Sequence, residues 1–176
     1  MIDPITIREA IIADAEVIAR LHVRSWQWAY RRQLPDEYLD GMSETLDRRI
    51  KTTQTRLADK PPDHRWWVAE QAGQLAGFAI TMPSQDEEAA PMTGEVSLIY
   101  LEPQAVGKGI GRALFARAVT DLQQRGYAQA ILWVLETNAR ARQFYEAAGW
   151  TADGASKTEE WPGLVLREVR YRKALP

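Results

Sequence analysis

The run LIYLEPQAVGKGIGRAL, Leu98 to Leu114, joins a strand, a glycine loop and a helix start with almost no residue to spare. Val96 to Leu101 is apolar and contains Ile and Tyr, the composition of a buried strand. Pro103 ends it, because proline has no N–H to give to a ladder. Gly107, Gly109 and Gly111 follow at alternate positions, and Ile110, Ala113, Leu114, Ala118 and Leu122 then recur at helical spacing. The helix therefore begins among the glycines. A helix start of this kind turns free N–H groups and the positive end of the helix dipole toward an anion. Glycine lets a phosphate approach where a Cβ would stand in the way.

The G-x-G-x-G spacing matches neither G-x-G-x-x-G, since Arg112 stands where the third glycine would fall, nor G-x-x-x-x-G-K-[ST]. On the loop alone, a glycine-rich turn without a ligand stays open. Composition narrows the classes. The 176 residues suffice for one domain spanning 1–176, and 45% hydrophobic with 26% charged residues is ordinary for a globular protein. A net charge of −2 gives no basic footprint for nucleic acid. With no cysteine there is no disulfide, no thiolate metal site and no cysteine nucleophile, so acyl transfer through a protein thioester is not expected. The two histidines, His22 and His64, are too few and too far apart for a metal site. MIDPITIREA lacks a basic start followed by an apolar run, and no segment approaches membrane-spanning length. The expectation is a cytoplasmic protein without a membrane partner, with a homodimer left open.

Along the chain, Ile5 to Arg8 alternates as a first strand, and Asp14 is placed to cap a helix with Glu16 in its first turn. Ile18, Leu21, Ser25 and Trp28 share one helix face, expected to be the more buried. Ala19, Val23, Trp26 and Tyr30 form the neighbouring stripe. His22 falls between the two stripes as a structural histidine. Leu34-Pro35-Asp36 breaks the helix, and a second helical region runs from Ser43 to Ala58. Trp66 to Glu70 and Leu75 to Thr81 form a hairpin around Gln71-Ala72-Gly73-Gln74. Pro83 to Thr93 is acidic, bracketed by prolines and expected to be mobile. Gly126 closes the central helix, and Ala128 to Val134 is the next strand, giving a right-handed βαβ unit. Thr137 or Asn138 caps a helix over Ala139 to Ala148. Strands begin at Trp150 and at Val165, the latter running to Arg172.

Two stretches carry a family resemblance. Gly107 to Gly111 resembles the acyl-CoA loop of the GNAT superfamily of N-acetyltransferases, [QR]-x-x-G-x-[GA]. Gln104 to Gly109 satisfies the letters; anchoring on Pro103 and the G-K-G-I-G run instead places Val106 at the Gln/Arg position, the preferred register because the helix starts at Ile110. Asn138 to Trp150, NARARQFYEAAGW, is similar to the superfamily signature N-x-x-A-x-x-F-Y-x-x-x-G-[FW]. The resemblance implies an α/β GNAT fold: a mixed, mostly antiparallel sheet of about seven strands with a central parallel βαβ acyl-CoA-binding unit and flanking helices. It implies acetyl-CoA as the acyl donor, with no metal. The pyrophosphate would rest on the amides of Gly107, Lys108, Gly109, Ile110, Gly111 and Arg112, and the pantetheine would pair with Ile99 and Leu101. Asn138 would touch the cofactor arm, and Lys108, Arg112 and Arg142 are candidates for the phosphates. If the turn keeps a negative φ, valine at Gly109 would block the phosphates without harming the fold.

Direct transfer of acetyl to an amine needs a proton acceptor for the amine, donors for the tetrahedral oxyanion and a proton for the leaving thiolate. Tyr145 matches the superfamily's general acid, and a phenol near pKa 10 facing a thiol near about 8.5 makes that transfer only slightly uphill. Glu95 alternates with Ser97, Ile99 and Leu101, which would turn it toward the acceptor end of the same cleft. In the histone-acetylating branch a glutamate at this distance takes the amine's proton. Trp26, Trp28 and Tyr30 are the candidates for the acceptor side. The function so implied is acetylation of a primary amine on a small molecule, peptide or protein. A longer acyl-CoA donor, or an acyl-CoA sensor without turnover, are the alternatives.

Overall fold

The computed structural model describes residues 3–161 and 163–176. In chain order they form β1 (Ile5–Glu9), α1 (Ala15–Ala29), α2 (Asp36–Glu44), α3 (Leu46–Ala58), β2 (Arg65–Gln71), β3 (Gln74–Pro83), β4 (Thr93–Leu101), α4 (Ile110–Gln124), β5 (Gln129–Leu135), α5 (Ala139–Ala147), β6 (Thr151–Trp161) and β7 (Leu164–Ala174). The strands make one sheet in the order β1-β2-β3-β4-β5-β7-β6. Every neighbouring pair is antiparallel except β4 with β5, which the α4 crossover makes parallel.

Alternating apolar side chains bury both faces of the sheet. On one face α4 and α5 close a core of Ala79, Val96, Leu114, Phe115, Leu132, Tyr145, Trp150 and Tyr171. On the other, α1 and α3 cover Trp66, Val68, Phe78 and Ile80, and a smaller cluster joins Val23, Tyr30, Leu39 and Met42 to Leu135, Leu164 and Leu166. At about 25 cal/mol per Å² of apolar surface removed from water, these clusters are the main source of stability.

Three local features depart from expectation. Asp14 does not cap α1 with its side chain. Its carboxylate turns back to accept the Ile11 N–H at 2.8 Å and the Arg8 guanidinium at 2.7 Å, because a short 3₁₀ turn precedes α1. The Arg8 guanidinium holds that carboxyl below the usual range. The helix read over Ser43 to Ala58 is present as α3, from Leu46, but a further helix precedes it: Pro35 stands at the N-cap of α2, with Asp36 and Glu37 in its first turn. Proline at a helix start sacrifices no hydrogen bond, and acidic residues there complement the dipole. The acidic connection after Pro83 is fastened at its beginning, with Ser84 N–H donating to Thr93 O (2.9 Å) and Asp86 paired with Arg170 on β7.

Candidate active site

Parallel pairing of β4 with β5 covers only Thr93, Glu95 and Gly94 against Gln129, Ile131 and Ala130. Beyond Glu95 the two strands part. β5 keeps its partner β7 as far as Leu135, while Val96 to Leu101 keeps β3 alone. One backbone edge of β4 is thus left open along a V-shaped slot.

The glycine loop stands at the wide end of the V. A 3₁₀ turn over Pro103–Ala105 leads into Gly107 and Gly109, both at positive φ (+81° and +84°), with Gly109 as the N-cap of α4. Space exists at both positions, since a Cβ would meet nothing within 4 Å. It is backbone conformation that selects glycine there. The proviso of a negative φ at Gly109 therefore fails, and valine there would strain the turn itself. At Gly111 the reason is proximity: a Cβ would lie 2.9 Å from Leu101 Cδ1. Among the described residues, the amides of Gly107, Gly109, Ile110, Gly111 and Arg112 find no acceptor in the protein, and the Lys108 amide reaches Ala105 O only at 3.4 Å. This is an anion cradle made of backbone. Lys108 and Arg112 are exposed beside it, and Val106 is half-buried, adding only its backbone.

Glu95 lies at the closed end of the V. β3 and β4 slip register between Ile80 and Thr81, so that Leu98 pairs with Ile80 and Val96 with Thr81, and Ser97 has no partner. This bulge reverses the alternation. Val96 joins Ile99 and Leu101 on the α4 face, and Glu95 shares the opposite face with Ile131, its partner on β5. Simple alternation of Glu95 with Ile99 and Leu101 is thus corrected: the carboxylate is on the α1 side of the sheet. It borders a cavity of about 440 Å³ lined by Gln85, Asp86, Glu88, Trp133, Lys157 and Arg170, among others. Its one hydrogen bond among the described residues comes from Gln85 N–H at 3.2 Å. Burial raises its pKa above the ordinary carboxylate value, against the opposing pull of Gln85 and Lys157.

From the other face, α5 brings Tyr145 to the slot. Its ring packs on Phe115, Phe144 and Tyr171 at 5.4, 5.5 and 6.2 Å. The hydroxyl has no hydrogen-bond partner among the described residues, and burial pushes its pKa well up, so it stays protonated and the near match to a thiol expected of a free phenol is not met. Asn138 caps α5 by accepting the Ala141 N–H at 3.1 Å.

A strand-glycine-helix cradle beside a parted parallel strand pair is the decisive arrangement, and the comparison with known proteins agrees with it. The Acetyltransferase (GNAT) family matches residues 19–150. The chain belongs to this family. It is 30% identical over 165 residues to the uncharacterized N-acetyltransferase YuaI of Bacillus subtilis (strain 168), across 94% of this chain and 90% of that one. In fold it is similar to paiA N-acetyltransferase from Thermoplasma acidophilum in complex with coenzyme A, with a TM-score of 0.70 and 21% identity over 97% and 99% of the two chains. It is equally similar to yncA from Salmonella typhimurium with its cofactor acetyl-CoA, at TM-score 0.70 and 21% identity over 98% and 94%. The expected GNAT fold is thus met.

Other site candidates in this GNAT domain fare differently. Arg142 is engaged elsewhere: it donates to the Tyr171 hydroxyl at 3.1 Å and to Glu136 O at 3.0 Å. Trp26 sits among His22, Tyr30, Tyr38 and Tyr100, with Tyr30 at 5.0 Å, on the α1 side of the slot. Tyr30 is buried at the end of α1, where Asn138 and Tyr100 bear on its hydroxyl. Trp28 is neither core nor part of that group. It is 44% exposed and stacks against Arg140 at 4.7 Å. A step from Ser25 to Trp28 falls about 60° short of a full helical turn, which carries the ring off the buried stripe. Sequence reading missed Asp86, Trp133, Lys157, Glu168 and Arg170. They lie far apart in the chain, and only the alternation of β7 marked Glu168 and Arg170 as one face. It also missed Glu102, 4% exposed and paired with Arg24 of α1, which fixes α1 against the end of β4. Among the described residues no group of His, Cys, Asp or Glu is placed to hold a metal, and no helix is long and apolar enough to cross a membrane.

Proposed function

We propose that the protein transfers acetyl from acetyl-CoA directly to a primary amine, and that the amine bears further positive charge. The observation that carries the first part is the parting of β4 from β5 after Glu95, with unpartnered loop amides at the open end. In this reading the pyrophosphate lies on the amides of Gly107 to Arg112, and the pantetheine runs along Ile99 and Leu101. The neighbouring structures that hold coenzyme A or acetyl-CoA support it. The second part rests on the cavity beside Glu95. Lys157 is shared by Glu159 and Glu168, each at 3.2 Å, and Arg170 by Asp86 and Asp153. Three carboxylates, Asp86, Glu88 and Glu95, and two cations line the cavity, and Glu159, Glu168 and Asp153, outside the lining, pair with those cations. A cationic acceptor is attracted there and an anionic one repelled.

The residues divide the proton work. An amine arrives at neutral pH as ammonium. Glu95, a stronger base for being buried, takes its proton directly or through water. The nitrogen attacks the thioester carbonyl and the C–N bond forms; backbone N–H of the open β4 edge steadies the resulting oxyanion, the nitrogen sheds its second proton to water, and the carbonyl re-forms as the C–S bond breaks. Tyr145 gives its proton to the departing thiolate and recovers one from water. Trp26 and Tyr30 wall the acceptor side. The test is release of CoA thiol with acetyl-CoA and a panel of amines: diamines and triamines, an aminoglycoside, neutral monoamines and peptides with acidic N-terminal segments. Turnover concentrated in the polycations is expected. Acetyl-CoA binding without release on any amine would replace the enzyme reading with the sensor.

A further inference from the structure

Arg170 lies beside Trp133 on the cavity wall, its side chain only 17% exposed, and touches no reacting group of the reading above. It is nevertheless the most heavily engaged cation of the cavity. Its Nη1 donates to Asp86 Oδ2, and its Nε donates to Asp153 Oδ2 at 2.8 Å. Asp153 belongs to the irregularity between Ala152 and Ser156 that interrupts the pairing of β6 with β7. Asp86 belongs to the connection between β3 and β4. One guanidinium thus ties three separate segments, and both carboxylates are themselves largely buried, at 14% and 7% exposure. The planar fork of arginine serves two directions at once in a way that an ammonium does not.

The connection is built around this contact. Asp86 Oδ1 accepts the Glu88 N–H at 3.0 Å while Oδ2 takes Arg170, and the Ala89 N–H donates to Asp86 O at 3.0 Å. Gln85, Glu87, Glu88 and Ala90 around it are exposed; besides Arg170, the segment is held by Ser84 N–H on Thr93 O, Asp86 N–H on Ser84 Oγ and Thr93 Oγ1 on Ala90 O, all from the connection and its own ends. The residue next to Asp86 is Gln85, whose N–H is the hydrogen-bond donor to Glu95 Oε2.

We propose that Arg170 is a positioning residue for Glu95: by pinning Asp86 it holds the β3–β4 connection over the cavity with the Gln85 N–H on the Glu95 carboxylate. The inference that this matters to catalysis rests on Glu95 being the base; the pinning itself does not. Charged groups from each packed element face Glu95: Lys157 of β6 favours its ionised form, and Asp86 of the loop and Glu168 of β7 oppose it, as does burial. Gln85 N–H favours it. Releasing the loop removes that donor and leaves Asp86 unneutralised, so the base becomes harder to ionise.

The experiment follows the Glu95 carboxyl by ¹³C NMR titration, assigned with Glu95→Gln, alongside the pH dependence of kcat. In Arg170→Gln the Glu95 titration is expected to move up by roughly one pH unit, and in Gln85→Pro, which deletes the N–H together with the side-chain bond to Pro83 O and fixes φ, by a similar amount. Arg170→Lys is expected to fall between wild type and Arg170→Gln. A folded Arg170→Gln protein with an unmoved Glu95 titration overturns the proposal, whatever Gln85→Pro does. If Glu95 moves and the rate profile does not, the pinning stands and the general-base reading falls. Should Arg170→Gln fail to fold, Asp86→Ala breaks the same contact from the loop. Faster hydrogen exchange at the Gln85 amide then supports the proposal, and unchanged exchange overturns it.

Discussion

Glu95 and Tyr145 approach the slot from opposite faces of the sheet, and the role proposed for each is one that a single atom change removes. Glu95→Gln is expected to lower kcat by about 10²–10⁴-fold and to abolish the ascending limb of the pH–rate profile. Because burial raises the carboxyl's pKa, that limb in the wild type should lie above the usual carboxylate range. Tyr145→Phe should lower kcat with acetyl-CoA affinity largely kept, since the ring still packs against Phe115 and Tyr171; steady-state kinetics at saturating amine, with calorimetric titration of the cofactor, checks both. His22 makes a different kind of prediction. Burial, aided by Arg49 and Arg56, holds its imidazole down at about 4 against the usual 6.5, and its Nε2 has no partner. The unfolded chain therefore binds a proton that the folded chain refuses, and stability is lost as pH falls from 6.5 toward 4. At about 1.4 kcal/mol per unit the full cost is roughly 3 kcal/mol. His22→Phe should flatten the pH dependence of urea unfolding in that window. The place of Tyr145 was legible in its motif, whereas Glu95, expected on one face with Ile99 and Leu101, lies on the other. Nothing in Glu95-Val96-Ser97-Leu98 announces a bulge, because it arises from how β3 pairs and not from a glycine or proline.

Among elements, the join of β4 to α4 is where local sequence dictates most. Gly109→Ala puts a side chain into a left-handed turn and should cost about 1–2 kcal/mol by thermal unfolding, with weaker acetyl-CoA binding besides. The βαβ unit and α5 could be read because their strands, glycines and caps are contiguous. α2 could not be read while Pro35 was taken only as a breaker, although a proline followed by two acidic residues is also how helices begin. The cavity beside Glu95 was hidden for another reason: Asp86, Trp133, Lys157 and Arg170 come from four segments that only the sheet order brings together.

At the scale of the molecule, the sheet is whole except where β4 and β5 part, and a ligand in that gap would bridge two halves of the sheet whose own ladder is only three residue pairs long. Acetyl-CoA at about 100 times its Kd should add about 2.7 kcal/mol to the unfolding free energy. Hydrogen exchange should show the protection gathered at Val96–Leu101 and at the loop amides, and protection spread evenly would argue against the slot as the binding place. The unpaired Ser97 gives this architecture a further property. It sets the two ends of β4 half a period out of step, so one strand shows its outer end to one partner and its inner end to another. Removing that single residue would not merely shorten the strand. It would bring the ends back into step, turning Glu95 into the apolar layer under α4 and Val96 into the acidic cavity, or else shifting every residue beyond it. Which residues of β4 look under α4 and which look into the acidic cavity thus depends on a count, odd or even, along nine residues of the strand.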